Sequence, residues 1–107
     1  MPDISLEQKY EVHKQLAAKL NPTYRAKNTD YDDSLGKSIT SMGYAAAIVR
    51  MEDKMNRTKA LLLNPERNPQ VDESVLDTLM DLANYALMTA TEYSLRVAAV
   101  DSEAANQ

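Results

Sequence analysis

Two sets of charged residues recur at helical spacing. Arg50, Lys54 and Arg57 fall at i, i+4 and i+7; Glu73, Asp77 and Asp81 follow one another at intervals of four, with Asn84 three residues further on. On a helix each set occupies one face. Bases in one stripe repel unless something anionic faces them, and acids in one stripe need a cation. The bases can hold a phosphate or pair with the acids, and the acids can pair with the bases or bind a hard metal such as Mg²⁺. An ion-pair network and a ligand site would use the same side chains. Asp53 lies beside the basic stripe at the i,i+4 spacing that favours a pair with Arg57, and Glu73 suits the positive end of a helix.

Between residues 23 and 36 the chain reads TYRAKNTDYDDSLG, a polar stretch without period, expected to be a loop. Its tyrosines, Tyr24 and Tyr31, can stack on a base. Arg25 and Lys27 can hold phosphate, and Asn28 and Asp30 can read a base edge or ribose. For Asp33 and Ser34 a helix cap is the preferred role. His13 follows an apolar helix face and reads as a packed histidine, and the six Met residues read as gap fillers and interface contacts. Glycine-rich phosphate loops, nucleophile elbows and zinc-protease spacings do not occur in the sequence.

The elements that must position these groups follow from periodicity. Ser5 with Gln8 makes a capping box, and Leu6, Tyr10, Leu16, Ala17 and Leu20 continue at helical spacing, so a first helix is expected over about 5–20, ended by Asn21-Pro22. A second, over about 35–63, carries the seam Tyr44, Ile48, Met51, Met55 and Leu62 and stops at the proline-containing NPERNPQ. A third, over about 72–100, is capped by Asp72 with Val71 and Leu76 as a staple, and carries Leu76, Leu79, Ala83, Ala86, Leu87, Ala90 and Val97. Residues 101–107 are then a polar tail. The expected fold is all-α, one domain over 1–100.

Composition agrees. Of the 107 residues 44% are hydrophobic, with two Gly and neither Phe nor Trp, a balance that favours helix over strand. Without Cys there are no disulfides or thiolate zinc sites, and no apolar run is long enough to span a bilayer. A net charge of −4 argues against binding long nucleic acid, though not against a small anion in a local basic pocket. A cytoplasmic protein is expected, with no membrane partner. Three helices of such unequal length leave an apolar seam uncovered, which predicts a homodimer or larger homo-oligomer in which the long helices pack across subunits.

The strings KNTDYDDS (27–34), GYAAAIVRMEDKMNR (43–57) and VDESVLDTLMDLANYALM (71–88), in that order, resemble the phage-associated family called nucleotide modification associated domain, first type. The resemblance covers most of residues 24–93. It implies phage origin, a bacterial host cytoplasm and a connection to nucleotides. The plan is also similar, more distantly, to the all-α nucleoside triphosphate pyrophosphatases of the MazG and dimeric dUTPase type. Those enzymes hold Mg²⁺ with a Glu-Glu-x-x-Glu set and a Glu-x-x-Asp set. Here Glu73 and Asp77 are four apart rather than three, and Glu52-Asp53 is followed by Lys54.

Two functions fit a pocket walled by residues 23–36, the basic stripe and the Asp77/Asp81/Asn84 face. One is a binding protein that sequesters a nucleotide signal, as phage sponges against nucleotide-based immunity do, and needs no cofactor. The other is a phosphohydrolase with Mg²⁺ on Asp53, Glu73, Asp77 and Asp81. A helical adaptor for another protein is the third reading.

Overall fold

Ser5 starts the first helix as its spacing predicts. Its hydroxyl accepts from the Gln8 N–H at 3.1 Å, and the Gln8 side chain accepts from the Ser5 N–H at 2.8 Å, satisfying two donors that a helix start leaves open. The computed structural model describes residues 2–64 and 73–105, with the side chain of Glu73 excepted. Among them are four α-helices and no strand: α1 (Leu6–Asp30), α2 (Ser34–Met42), α3 (Ala45–Leu63) and α4 (Glu73–Ala105). The fold is all-α, with boundaries that differ from the expected ones in three places. None of the helices is long and apolar enough to cross a membrane. The cap and staple expected at Val71 and Asp72 lie outside the described residues, as does most of NPERNPQ.

The first difference is at Pro22, which does not end α1. A proline here withholds one N–H from the Ala18 carbonyl, but the helix formers Arg25, Ala26 and Lys27 carry the turn onward. The helix stops eight residues later, where the Tyr31 N–H reaches the Lys27 carbonyl at 2.9 Å. Residues 23–36 are therefore not a loop: they are the last two turns of α1, a short turn and the start of α2. In that turn Asp32 and Asp33 have φ of 51° and 54°, a left-handed pair that residues with a Cβ adopt at a cost and that Asp tolerates better than most.

The second difference splits the expected 35–63 helix. Gly43, with φ 77° and ψ −172°, closes α2 by donating to the Ile39 carbonyl at 2.7 Å, and α3 starts two residues later. That backbone conformation is essentially restricted to glycine. A Cβ on Gly43 would meet nothing within 4 Å, so only the backbone objects to a side chain. Gly43→Ala is accordingly expected to destabilise the protein by roughly 1–3 kcal/mol, or about 4–8 °C of melting temperature for each kcal/mol. A thermal melt followed by circular dichroism checks it, and an unchanged midpoint would mean that the two helices tolerate fusion. The third difference is at the other end: α4 continues past Val100 to Ala105, through part of the expected tail.

The chain divides into two compact units, 1–32 and 33–107. The first is α1, which buries none of its residues within that unit. The second packs α3 along α4 and folds α2 back over α3. Its apolar core is Leu35, Ile39 and Ala47, with Met51, Tyr85 and Met88 against them. Leu61, Thr58, Thr78 and Asn84 are also buried. Thr58 and Thr78 enter the interior without an open donor because each hydroxyl returns to the carbonyl one turn back, Lys54 at 2.8 Å and Ser74 at 2.6 Å. Tyr44 and Tyr93 meet at 6.0 Å between ring centroids.

α2 is tied to α4 by Arg96, which donates to the Gly36 carbonyl and to the Thr40 hydroxyl, both at 3.1 Å, while Glu92 accepts from its Nε at 3.2 Å. Gly36 allows this approach: a Cβ there would lie 2.8 Å from Glu92 Oε1 and closer still to the Asp33 carboxylate.

Candidate functional site

The basic stripe emerges on α3 as predicted, and each base has found a different partner. Arg50 Nη2 donates to Ser34 Oγ at 3.2 Å and to Ser38 Oγ at 3.0 Å, both on α2. One turn on, Lys54 Nζ lies 3.0 Å from Asp81 Oδ2 on α4, with both side chains 30% exposed. Arg57 Nε donates to Thr78 Oγ1 at 3.2 Å. The three cations thus form a row that begins against α2 and continues along α4.

The charges along that row are unequal. Lys54 faces a carboxylate, whereas the partners found for Arg50 and Arg57 among the described residues are neutral hydroxyls. A hydroxyl satisfies hydrogen-bonding geometry but does not neutralise a guanidinium. Both ends of the row retain the chemistry that recognises phosphate and carboxylate, in the planar fork that binds them through two parallel bonds.

Of the acidic face, Asp81 joins the row, half-buried, and Asn84 lies beneath it in the interior. Asp77 is exposed on α4, and Asp53 is exposed on α3. The side chain of Glu73 lies outside the described residues. Among the described residues no three acids or histidines are gathered as a metal ion requires.

The remaining candidates belong to the 1–32 unit. Tyr24 and Asn28, one turn apart, are half-buried; Arg25, Lys27, Asp30 and Tyr31 are exposed. Tyr24 to Asp30 are helical and Tyr31 is the C-cap of α1, so these groups are fixed on a helix end rather than displayed on a loop.

Ser34, Ser38 and Thr78 were not singled out as ligand-facing residues. Ser34 follows the N-cap residue Asp33 and opens α2, with its hydroxyl directed to Arg50. Its spacing of four from Ser38 was the available signal, since two hydroxyls one turn apart share a helix face.

The sequence profile of the nucleotide modification associated domain 1 family matches residues 27–92. That span takes in the whole row and all of its partners. No curated protein and no solved structure matches the chain at a significant level. With more than half of its length matched, the chain belongs to the nucleotide modification associated domain 1 family.

Proposed function

We propose that the 33–107 unit binds a phosphorylated nucleotide along the α3 row, and that the protein sequesters it in the host cytoplasm as a phage countermeasure to nucleotide-based immunity. The observation that carries this reading is the row itself: three bases on successive turns of one helix, two of them facing hydroxyls rather than acids. Family membership supports the nucleotide connection. Holding is favoured over cleavage because Asp81, one of the four ligands that the hydrolase reading requires, is bonded to the Lys54 ammonium at 3.0 Å. A divalent ion would have to displace that cation.

The rival reading is hydrolysis with Mg²⁺ on Asp53, Glu73, Asp77 and Asp81, and one experiment separates the two. The protein is incubated with Mg²⁺ and a panel of linear and cyclic nucleotides and then heated, and the released small molecules are analysed by chromatography. A nucleotide depleted from solution and recovered intact supports sequestration. Cleaved product that disappears in Asp77→Ala supports the hydrolase.

Arg57→Ala tests the row. Arg57 is exposed, and Thr78 keeps its bond to the Ser74 carbonyl without it. Melting should therefore stay near wild type while nucleotide affinity falls about 10-fold or more, the worth of one charge-assisted hydrogen bond. Unchanged affinity would remove Arg57 from the site.

We further propose a homo-oligomer formed through α4. The stripe of α4 turned toward α2 and α3 carries Thr78, Asp81, Asn84, Tyr85, Met88 and Arg96. Leu76, Leu79, Leu87 and Val97 lie on the far side, and all are exposed. Ala83, Ala86 and Ala90 between them let another helix approach closely, so a second copy of the same seam is a fitting cover.

A further inference from the structure

Arg50 differs from the other two bases in where it sits and what surrounds it. It is half-buried between α2 and α3, and a single terminal nitrogen, Nη2, makes both bonds to Ser34 and Ser38. A guanidinium carries five N–H donors, and Nε and Nη1 make none of the bonds found for Arg50 among the described residues. Each serine oxygen accepts from Nη2, which turns its own hydroxyl proton to another acceptor. The cluster therefore offers several donors, the remaining N–H groups of one cation and two hydroxyls, and no carboxylate is among the partners found for Arg50. Ser34 is also the first residue of α2, where the helix dipole adds positive potential. Lys54, by contrast, is already matched to Asp81, and Arg57 is exposed.

We infer that Arg50, Ser34 and Ser38 form the subsite for a terminal phosphate, so that the ligand is a linear nucleotide ending in a phosphomonoester or a pyrophosphate rather than a cyclic one. The inference rests on the nucleotide-binding reading above and adds the ligand class. A terminal phosphate presents three oxygens and close to two negative charges, which suits several donors around one cation. A cyclic phosphodiester presents two free oxygens and one charge, and leaves part of the cluster unmatched. Unmatched polar groups are how a site rejects an analogue.

The test measures binding of inorganic pyrophosphate, a 5′-nucleoside monophosphate and the corresponding 3′,5′-cyclic monophosphate by titration calorimetry. The proteins are wild type, Arg50→Ala, Arg50→Lys and Ser38→Ala, each with a ligand-free melting curve. Wild type is expected to bind pyrophosphate and the 5′-monophosphate at least about 10-fold more tightly than the cyclic form. Arg50→Ala should weaken the first two by about 100-fold, and Arg50→Lys, which keeps the charge and loses the fork, by about 10-fold. Ser38→Ala removes one hydroxyl and leaves the charge of Arg50 and its bond to Ser34 in place, so a loss of affinity there with a normal melt marks a binding role even if Arg50→Ala unfolds. Tight binding of the 5′-monophosphate that ignores Arg50 and Ser38, or a preference for the cyclic form, overturns the subsite and leaves the nucleotide reading standing. Arg50-dependent binding of pyrophosphate with no affinity for any nucleotide overturns the nucleotide reading and leaves an oxyanion site. If wild type binds none of the three, the subsite is overturned.

Discussion

Leu87→Asp is expected to reduce the proposed homo-oligomer to a monomer. Leu87 is 49% exposed on the side of α4 turned away from α2 and α3. It lies near the middle of the seam that runs from Leu76 to Val97. In a two-fold assembly the residue is present twice at one interface. Each leucine contributes roughly 1.5–3 kcal/mol when fully buried, and the substitution adds two carboxylates that would have to be desolvated or driven apart. The dissociation constant should rise by at least about 1,000-fold. Sedimentation velocity across a concentration series reads this directly. Wild type should also melt at a temperature that rises with protein concentration, and the variant should not. A wild type that sediments as a monomer would defeat the assembly. In that case Leu87→Asp should behave as an ordinary surface change, within about 0.5 kcal/mol.

The second large effect is expected at the contact between α3 and α4. Lys54→Glu replaces an ammonium 3.0 Å from Asp81 with a second carboxylate, at a place where both side chains are only 30% exposed. Like charges about 4 Å apart repel by on the order of 4 kcal/mol at the effective dielectric near a protein surface. Rotation toward solvent relieves part of that, which leaves an expected loss of about 2–3 kcal/mol. For a domain of this size the midpoint should fall by roughly 10–20 °C. The exchanged pair, Lys54→Glu with Asp81→Lys, restores the attraction with its polarity reversed and should recover most of the loss. Urea unfolding of the four proteins closes the cycle, and a coupling of at least about 1 kcal/mol is expected. A single variant that loses less than about 0.5 kcal/mol would show the pair to be fully solvated, with nothing to contribute to the packing.

Much of this architecture was legible in the sequence, because helix signals are local. The Ser5–Gln8 capping box, the α4 periodicity and the stop at Asn64, ahead of a proline, all act within a few residues of where they are read. Pro22 and Gly43 were misread for opposite reasons. Proline is a strong breaker, yet one missing hydrogen bond did not outweigh the helix formers after it. Gly43 looked tolerable within a long apolar period, yet its backbone adopts a conformation that no helix contains. The direction in which a periodic face points is not local at all. The apolar seam read on α4 is the face turned away from α2 and α3, and the interior is built from Thr78, Asn84, Tyr85 and Met88.

The site shows the same division. Arg50, Lys54, Arg57 and Asp81 declare themselves by charge and spacing, and the Lys54–Asp81 pair was one of the two partners weighed for the stripe. Ser34, Ser38 and Thr78 carry no charge and are common on helix surfaces. Only the crossing of α2 over α3 and of α3 along α4 distinguishes them from any other hydroxyl.

The tie between Arg96 and Gly36 has a consequence for how the protein is made. The two residues are 60 positions apart, and the carbonyl that Arg96 holds belongs to the first turn of α2. Synthesis runs from the N-terminus, and helices can form as they emerge, but a contact of this span waits for both of its ends. While the ribosome is still adding α3 and the first half of α4, α2 lacks its anchor, and Leu35 and Ile39 have no Tyr85 or Met88 to close over them. The nascent chain therefore shows its stickiest short helix early and covers it late. That interval is when chaperones would engage it and when a slow stretch of translation would do most harm.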